Sequence, residues 1–159
     1  MDEWANFGVA VTGVSGALIG LIFVALSINL RQIVGSASLP GRAMIALILL
    51  SLPLLSAMLL LVPQSDTAYG VELLVMGVLL GSWLLYLSRP GTREAEQPLA
   101  ARLVGTIGPV VVATAGITVG GIVLLTGSES GLYGVVVGAV AAFLGALLTT
   151  WVLLVEILR

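Results

Sequence analysis

The pattern of apolar and polar positions divides the chain into five long hydrophobic stretches separated by short polar ones. They run from about Trp4 to Leu30, Ala43 to Val62, Val71 to Leu87, Leu103 to Leu125 and Leu132 to Ile157. About 20 mainly apolar residues cross the roughly 30 Å of bilayer hydrocarbon, so each stretch predicts a transmembrane helix, the third being the shortest. No stretch carries a continuous polar face. A cleaved signal peptide is a poor reading of the first, which is too long and opens on Asp2 and Glu3 where a signal has basic residues. Pro53 and Pro109 fall inside predicted spans, where each removes a backbone donor and tends to bend its helix.

The polar segments between the spans are short, which makes successive helices antiparallel neighbours. The segment Arg31–Arg42, RQIVGSASLPGR, is expected to run along the interface, and Ser88–Arg102, SRPGTREAEQPLAAR, to be a solvated linker with room for a short surface helix. All 6 basic residues are arginines. Arg31 and Arg42 flank the first connection, Arg89, Arg93 and Arg102 the third, and Arg159 ends the chain, while Pro63–Gly70 and Gly127–Gly131 hold only acids. Five spans therefore put every arginine on one side. The positive-inside rule then predicts the N-terminus outside and the C-terminus in the cytoplasm. The fold expected is an all-α polytopic bundle of about five transmembrane helices, forming one integral membrane domain over residues 1–159.

Composition strengthens this picture and narrows the chemistry. Hydrophobic residues make up 59% of the 159 positions and charged residues 9%, with a mean hydropathy of +1.20. A soluble domain carries about a quarter charged residues, and a chain this short cannot bury so much apolar surface in itself. The net charge of −2 comes without a basic tract for nucleic acid. The absence of His and Cys removes imidazole and thiolate metal sites, axial haem ligands of those types and the usual base of a catalytic triad. The absence of Lys removes Schiff-base chemistry. No catalytic residue, cofactor or metal site is expected.

Glycine spacing supplies the next signal. Gly16 and Gly20 lie four apart in the first span, Gly77 and Gly81 in the third, Gly116 and Gly120 in the fourth, and Gly134 and Gly138, with Ala142, in the fifth. Each set forms a smooth stripe that lets helix backbones approach closely in lipid. Packing within one chain accounts for most such stripes, and with four of them at least one is expected to face another subunit. A weak similarity aligns Gly16 and Gly20 (GVSGALIGLIFV) with Gly116 and Gly120 (ATAGITVGGIVL).

Polar groups at membrane depth are few. Thr12, Ser15, Asn29 and Glu72 form the possible polar set, with Thr118 as a further hydroxyl; Asn29 is the most demanding, because its amide is expected to need a partner beyond its own helix. Glu72 falls two residues past the Pro63–Gly70 segment, at the interface, and would become the best proton-site candidate if the register moved inward by a turn. Glu156 is positioned for a weak surface pair with Arg159. Trp4, Phe7, Tyr69, Trp83, Tyr86, Tyr133 and Trp151 fall mostly near span ends, as interfacial anchors do.

The run Trp4–Asn29, WANFGVAVTGVSGALIGLIFVALSIN, followed by LRQIV and LPGRA, resembles the opening of a family of small, uncharacterised multi-span membrane proteins of high-GC bacteria, some of which carry the label "modulator of FtsH protease". The resemblance covers the first quarter of the chain and transfers no functional residue. It implies a bacterial inner-membrane location and a regulatory or accessory role. Two functions follow as expectations. The first is a non-enzymatic membrane subunit that acts through helix–helix contacts with itself or another membrane protein. The alternative is a small homo-oligomeric channel or transporter with a path lined by Thr12, Ser15, Asn29 or Thr118.

Overall fold

Inside hydrocarbon every backbone N–H and C=O must be satisfied within its own segment, and the chain meets that demand with helices throughout its described length. The computed structural model describes residues 2–36, 38–88 and 103–157. A 3₁₀ turn, Asp2–Trp4, leads into α1 (Ala5–Ile28), α2 (Leu30–Gly35), α3 (Leu39–Leu60) and α4 (Asp66–Leu87). A π-helical turn, Leu103–Ile107, then opens α5 (Gly108–Leu125), and α6 spans Gly131–Ile157. Five of these helical segments are long and apolar enough to cross a membrane: Ala5–Ile28, Leu39–Leu60, Asp66–Leu87, Gly105–Leu125 and Gly131–Val155. The protein is a multi-pass membrane protein whose outer faces meet lipid.

Helices α3, α4, α5 and α6 form a ring in which each packs on the next and α6 closes back on α3, while α1 lies outside the ring and packs mainly on α3. The centre holds Leu49, Leu52, Leu73, Leu84, Ile117 and Leu124, all with 0% exposure. One rim gathers the N-terminal ends of α1, α4 and α6 with the C-terminal ends of α3 and α5. There Trp4 meets Phe7 and Tyr133 edge-on, at ring-centre distances of 5.9 and 5.3 Å. At the opposite rim Ile33 of α2 packs with Leu39, Ala43 and Leu153, which pins the short helix to the bundle.

Helix boundaries depart from the hydropathy pattern where polar residues act as caps. The second span starts at Leu39, because Pro40 is tolerated in a first turn, where its missing N–H would be unpaired anyway. The third starts at Asp66, a turn before the apolar run, with the Ser65 hydroxyl accepting from Ala68 N at 3.2 Å. The first stops at Ile28, and Asn29 is the joint between α1 and α2: its N–H donates to Ala25 O, and its own carbonyl accepts from Gln32 and Ile33. Most of the Arg31–Arg42 segment is therefore helical, residues 31–35 in α2 and 39–42 in α3. Pro109 sits in the first turn of α5, directly after the contiguous π turn Leu103–Ile107. A wider turn there relieves the clash between the proline ring and the preceding carbonyls. Pro53 is interior to α3. The Ser88–Arg102 connection and the Glu156–Arg159 pair lie outside the described residues and side chains.

Candidate functional site

The ring is held by two seams in which glycine brings backbones together. Along α5 and α6, a Cβ added at Gly116 would sit 2.8 Å from Gly134 O and 2.8 Å from Gly138 N. One at Gly120 would sit 2.6 Å from Gly131 O, and one at Gly138 would sit 2.9 Å from Ala113 O. No side chain can be placed in this seam without moving a helix. Along α4 and α5 the fit is glycine against side chain: Thr118 packs onto Gly77 and Thr114 onto Gly81, while Gly70 and Gly121 face each other backbone to backbone. Gly77, Gly81, Gly116, Gly120, Gly134 and Gly138 thus all lie at contacts inside the chain. Sequence spacing did not single out Gly145, against which the Pro109 ring packs at 2.5 Å from the added-Cβ position. Each seam gains dispersion and weak Cα–H···O contacts from the close approach.

Gly16 and Gly20 behave differently. α1 turns Gly8, Val11, Ser15 and Ile22 toward the bundle, a spacing that marks one helical face. Gly13, Gly16 and Gly20 lie on the other side, exposed, with no atom within 4 Å of an added Cβ. The aligned pairs Gly16/Gly20 and Gly116/Gly120 therefore occupy opposite environments, the first facing outward and the second filled by α6. On the inward side of α1, Thr12 Oγ1 and the fully buried Ser15 Oγ have no hydrogen-bond partner among the described residues, and Thr150 Oγ1 of α6 is in the same state. Beside them an apolar cleft of about 180 Å³ separates α1 from α6, lined in part by Leu18, Ile22, Ala146 and Thr150.

The remaining polar residues are mostly satisfied locally. Asn29 Nδ2 donates to Ala25 O at 2.9 Å, so its amide finds a partner one turn back in α1, contrary to the expectation of a distant one. Thr114 and Thr118 bond to Val110 O and Thr114 O, Ser51 to Leu47 O and Thr149 to Gly145 O, all one turn back. Thr12 and Ser15 lie on α1, Asn29 is at that helix's far end, and Thr118 lies between α4 and α5, so the four do not share one path. Tyr69 is not an interfacial anchor. Its ring is fully buried and its hydroxyl donates to Ser56 O at 3.0 Å, tying α4 to α3. Trp83, Tyr86, Tyr133 and Trp151 are exposed.

Glu72 lies deeper than the apolar run suggested, because α4 starts at Asp66. It is half-buried in the second turn, and its Oε2 accepts from Gln64 Nε2 at 2.9 Å. The other hydrogen of that amide goes to Leu59 O, also at 2.9 Å, so Gln64 clasps the carboxylate to the end of α3. Below Glu72 an apolar groove of about 470 Å³ runs between α3 and α4. No group of acidic, His or Cys side chains placed to hold a metal ion occurs among the described residues.

Fold and surfaces together define a helical, multi-pass membrane bundle in which the paired glycines of α4, α5 and α6 are filled by neighbouring helices and those of α1 are not. Comparison with protein-family models, with curated proteins and with solved structures gives no match.

Proposed function

We propose that the protein is a non-enzymatic subunit of a membrane assembly and engages its partner, a second copy of itself or another membrane protein, through the outward face of α1. One observation carries this reading: Gly13, Gly16 and Gly20 present a smooth face with open space beside them, whereas the other paired glycines of the spans are filled by neighbouring helices. In lipid the gain from association comes from close backbone packing, and a glycine face left facing acyl tails forgoes it. α1 is the least buried of the five spans, which suits a docking element. The regulatory or accessory role implied by the N-terminal resemblance agrees with this reading. The arginine distribution supports an orientation with the N-terminus outside, and the N-terminal resemblance implies a bacterial cytoplasmic membrane.

Because the chain has no Cys, single cysteines report contacts without background. In native membranes, oxidation should cross-link copies, or a copy and a partner, through cysteine at Gly13, Gly16 or Gly20, since a disulfide needs Cα atoms within about 7 Å. Cysteine at Val78 on the outward side of α4 should give none. Gly16→Leu should abolish the cross-linked or co-purified species while leaving the helical content intact. A monomer throughout, with no cross-link from any α1 position, would defeat the proposal.

A further inference from the structure

We infer that the α3–α4 groove headed by Glu72 binds a bilayer aminophospholipid, with the primary ammonium headgroup on the Glu72 carboxylate and one acyl chain lying in the groove. The groove is lined by Leu55 and Leu59 of α3 and by Val75, Met76 and Leu79 of α4, and Glu72 is its charged member. Its axis follows the helices: from Glu72 to Leu79 is seven residues, a rise of about 10 Å. Glu72 itself lies about 9 Å along α4 from Asp66, which sets the carboxylate near the boundary between headgroups and tails. A lipid would therefore meet charge at the top and apolar surface below, in the order its own structure presents.

Charge complementarity selects the headgroup. No basic residue occurs between Arg42 and Arg89, or between Arg102 and Arg159, so the α3–α4 and α5–α6 connections and the helix ends they join carry Asp66, Glu72 and Glu129 and no basic side chain to answer an anionic lipid. Gln64 is a neutral partner that fixes one carboxylate oxygen without neutralising it. An ammonium donates up to three hydrogen bonds to such a group, and charge-assisted bonds are the stronger kind. A quaternary choline head carries the charge but has no N–H to donate, and a glycerol head on a phosphate brings a net negative charge toward a carboxylate.

The test uses the full chain in vesicles of equal parts phosphatidylethanolamine, phosphatidylcholine and phosphatidylglycerol. After mild detergent extraction, native mass spectrometry counts the lipids retained on the protein. The ethanolamine lipid should be retained about threefold above its bulk share, the middle of the range for a partly exposed ion pair. Glu72→Gln keeps the shape and the Gln64 contact and should return retention to the bulk ratio. Val75→Trp, at an exposed position in the groove, should fill it and reduce retention of the ethanolamine lipid while the carboxylate remains. Bulk-ratio retention by the unaltered protein, enrichment surviving in Glu72→Gln, or enrichment unchanged in Val75→Trp would each overturn the inference.

Discussion

Gly116→Ala tests whether the α5–α6 seam is as tight as its geometry indicates. The new methyl would meet Gly134 O and Gly138 N at 2.8 Å and Gly138 Cα at 2.9 Å, all backbone atoms that cannot swing aside. Ordinary van der Waals contact starts near 3.4 Å, so the two helices must part by about 0.6 Å. A radial gap of that order forfeits a quarter or more of the dispersion well for the atoms along the seam. Overpacking of this kind costs about 1–3 kcal/mol. Alanine's better helix propensity returns at most about 1 kcal/mol. With the full return, the expected net effect is a loss of up to about 2 kcal/mol. Gly16→Ala is the matched control: it makes the same chemical change with nothing within 4 Å, so only the propensity gain remains and the sign reverses. Both variants would be unfolded by denaturant in detergent, at a dilution where the protein is monomeric, and followed by helical circular dichroism. Equal stability of Gly116→Ala and Gly16→Ala would refute the seam argument.

Other substitutions probe separate contacts. Gly145→Ala drives a methyl against Pro109 Cβ and should lose about 1–3 kcal/mol in the same unfolding assay, whereas Pro109→Gly, which removes that carbon, should cost less in the Gly145→Ala background than in the unaltered protein. Gly77→Ala should be destabilising because Thr118 occupies the space, and Thr118→Ala should rescue it, a coupling read by a double-mutant cycle. Tyr69→Phe removes the bond to Ser56 O between α4 and α3 and should lower stability by about 0.5–1.5 kcal/mol without changing helical content.

The spans were readable because lipid imposes a length and a polarity that few residues escape, and the five apolar runs coincide with helices. Their ends were less readable. Ser65 and Asp66 carried a capping signal that the apolar threshold passed over, and the shift moved Glu72 from a loop edge into the second turn of a helix. Partner choice was not legible at all. A stripe such as Gly16/Gly20 or Gly116/Gly120 reveals that a face is small, but every face of these helices is apolar, so nothing in the spacing says which one turns inward. Tyr69 shows the same limit, since its place near a span end suits an interfacial ring as well as the buried tie it is. Asn29 was misjudged for a different reason: at a helix end its amide reaches the carbonyl one turn back, which a helix-interior argument overlooks.

The turn joining α5 to α6 contains Gly127 at φ +82°, the one left-handed backbone position among the described residues. That brief reversal decides which residue of α6 stands across from which residue of α5, and so pairs Gly120 with Gly131 and Gly116 with Gly134. Adding a single residue there would rotate α6 by about 100° relative to α5 and carry every small position out of alignment at once. The hairpin's length is thus a phase setting for the whole ring: the connection determines the angular position of a helix it barely touches.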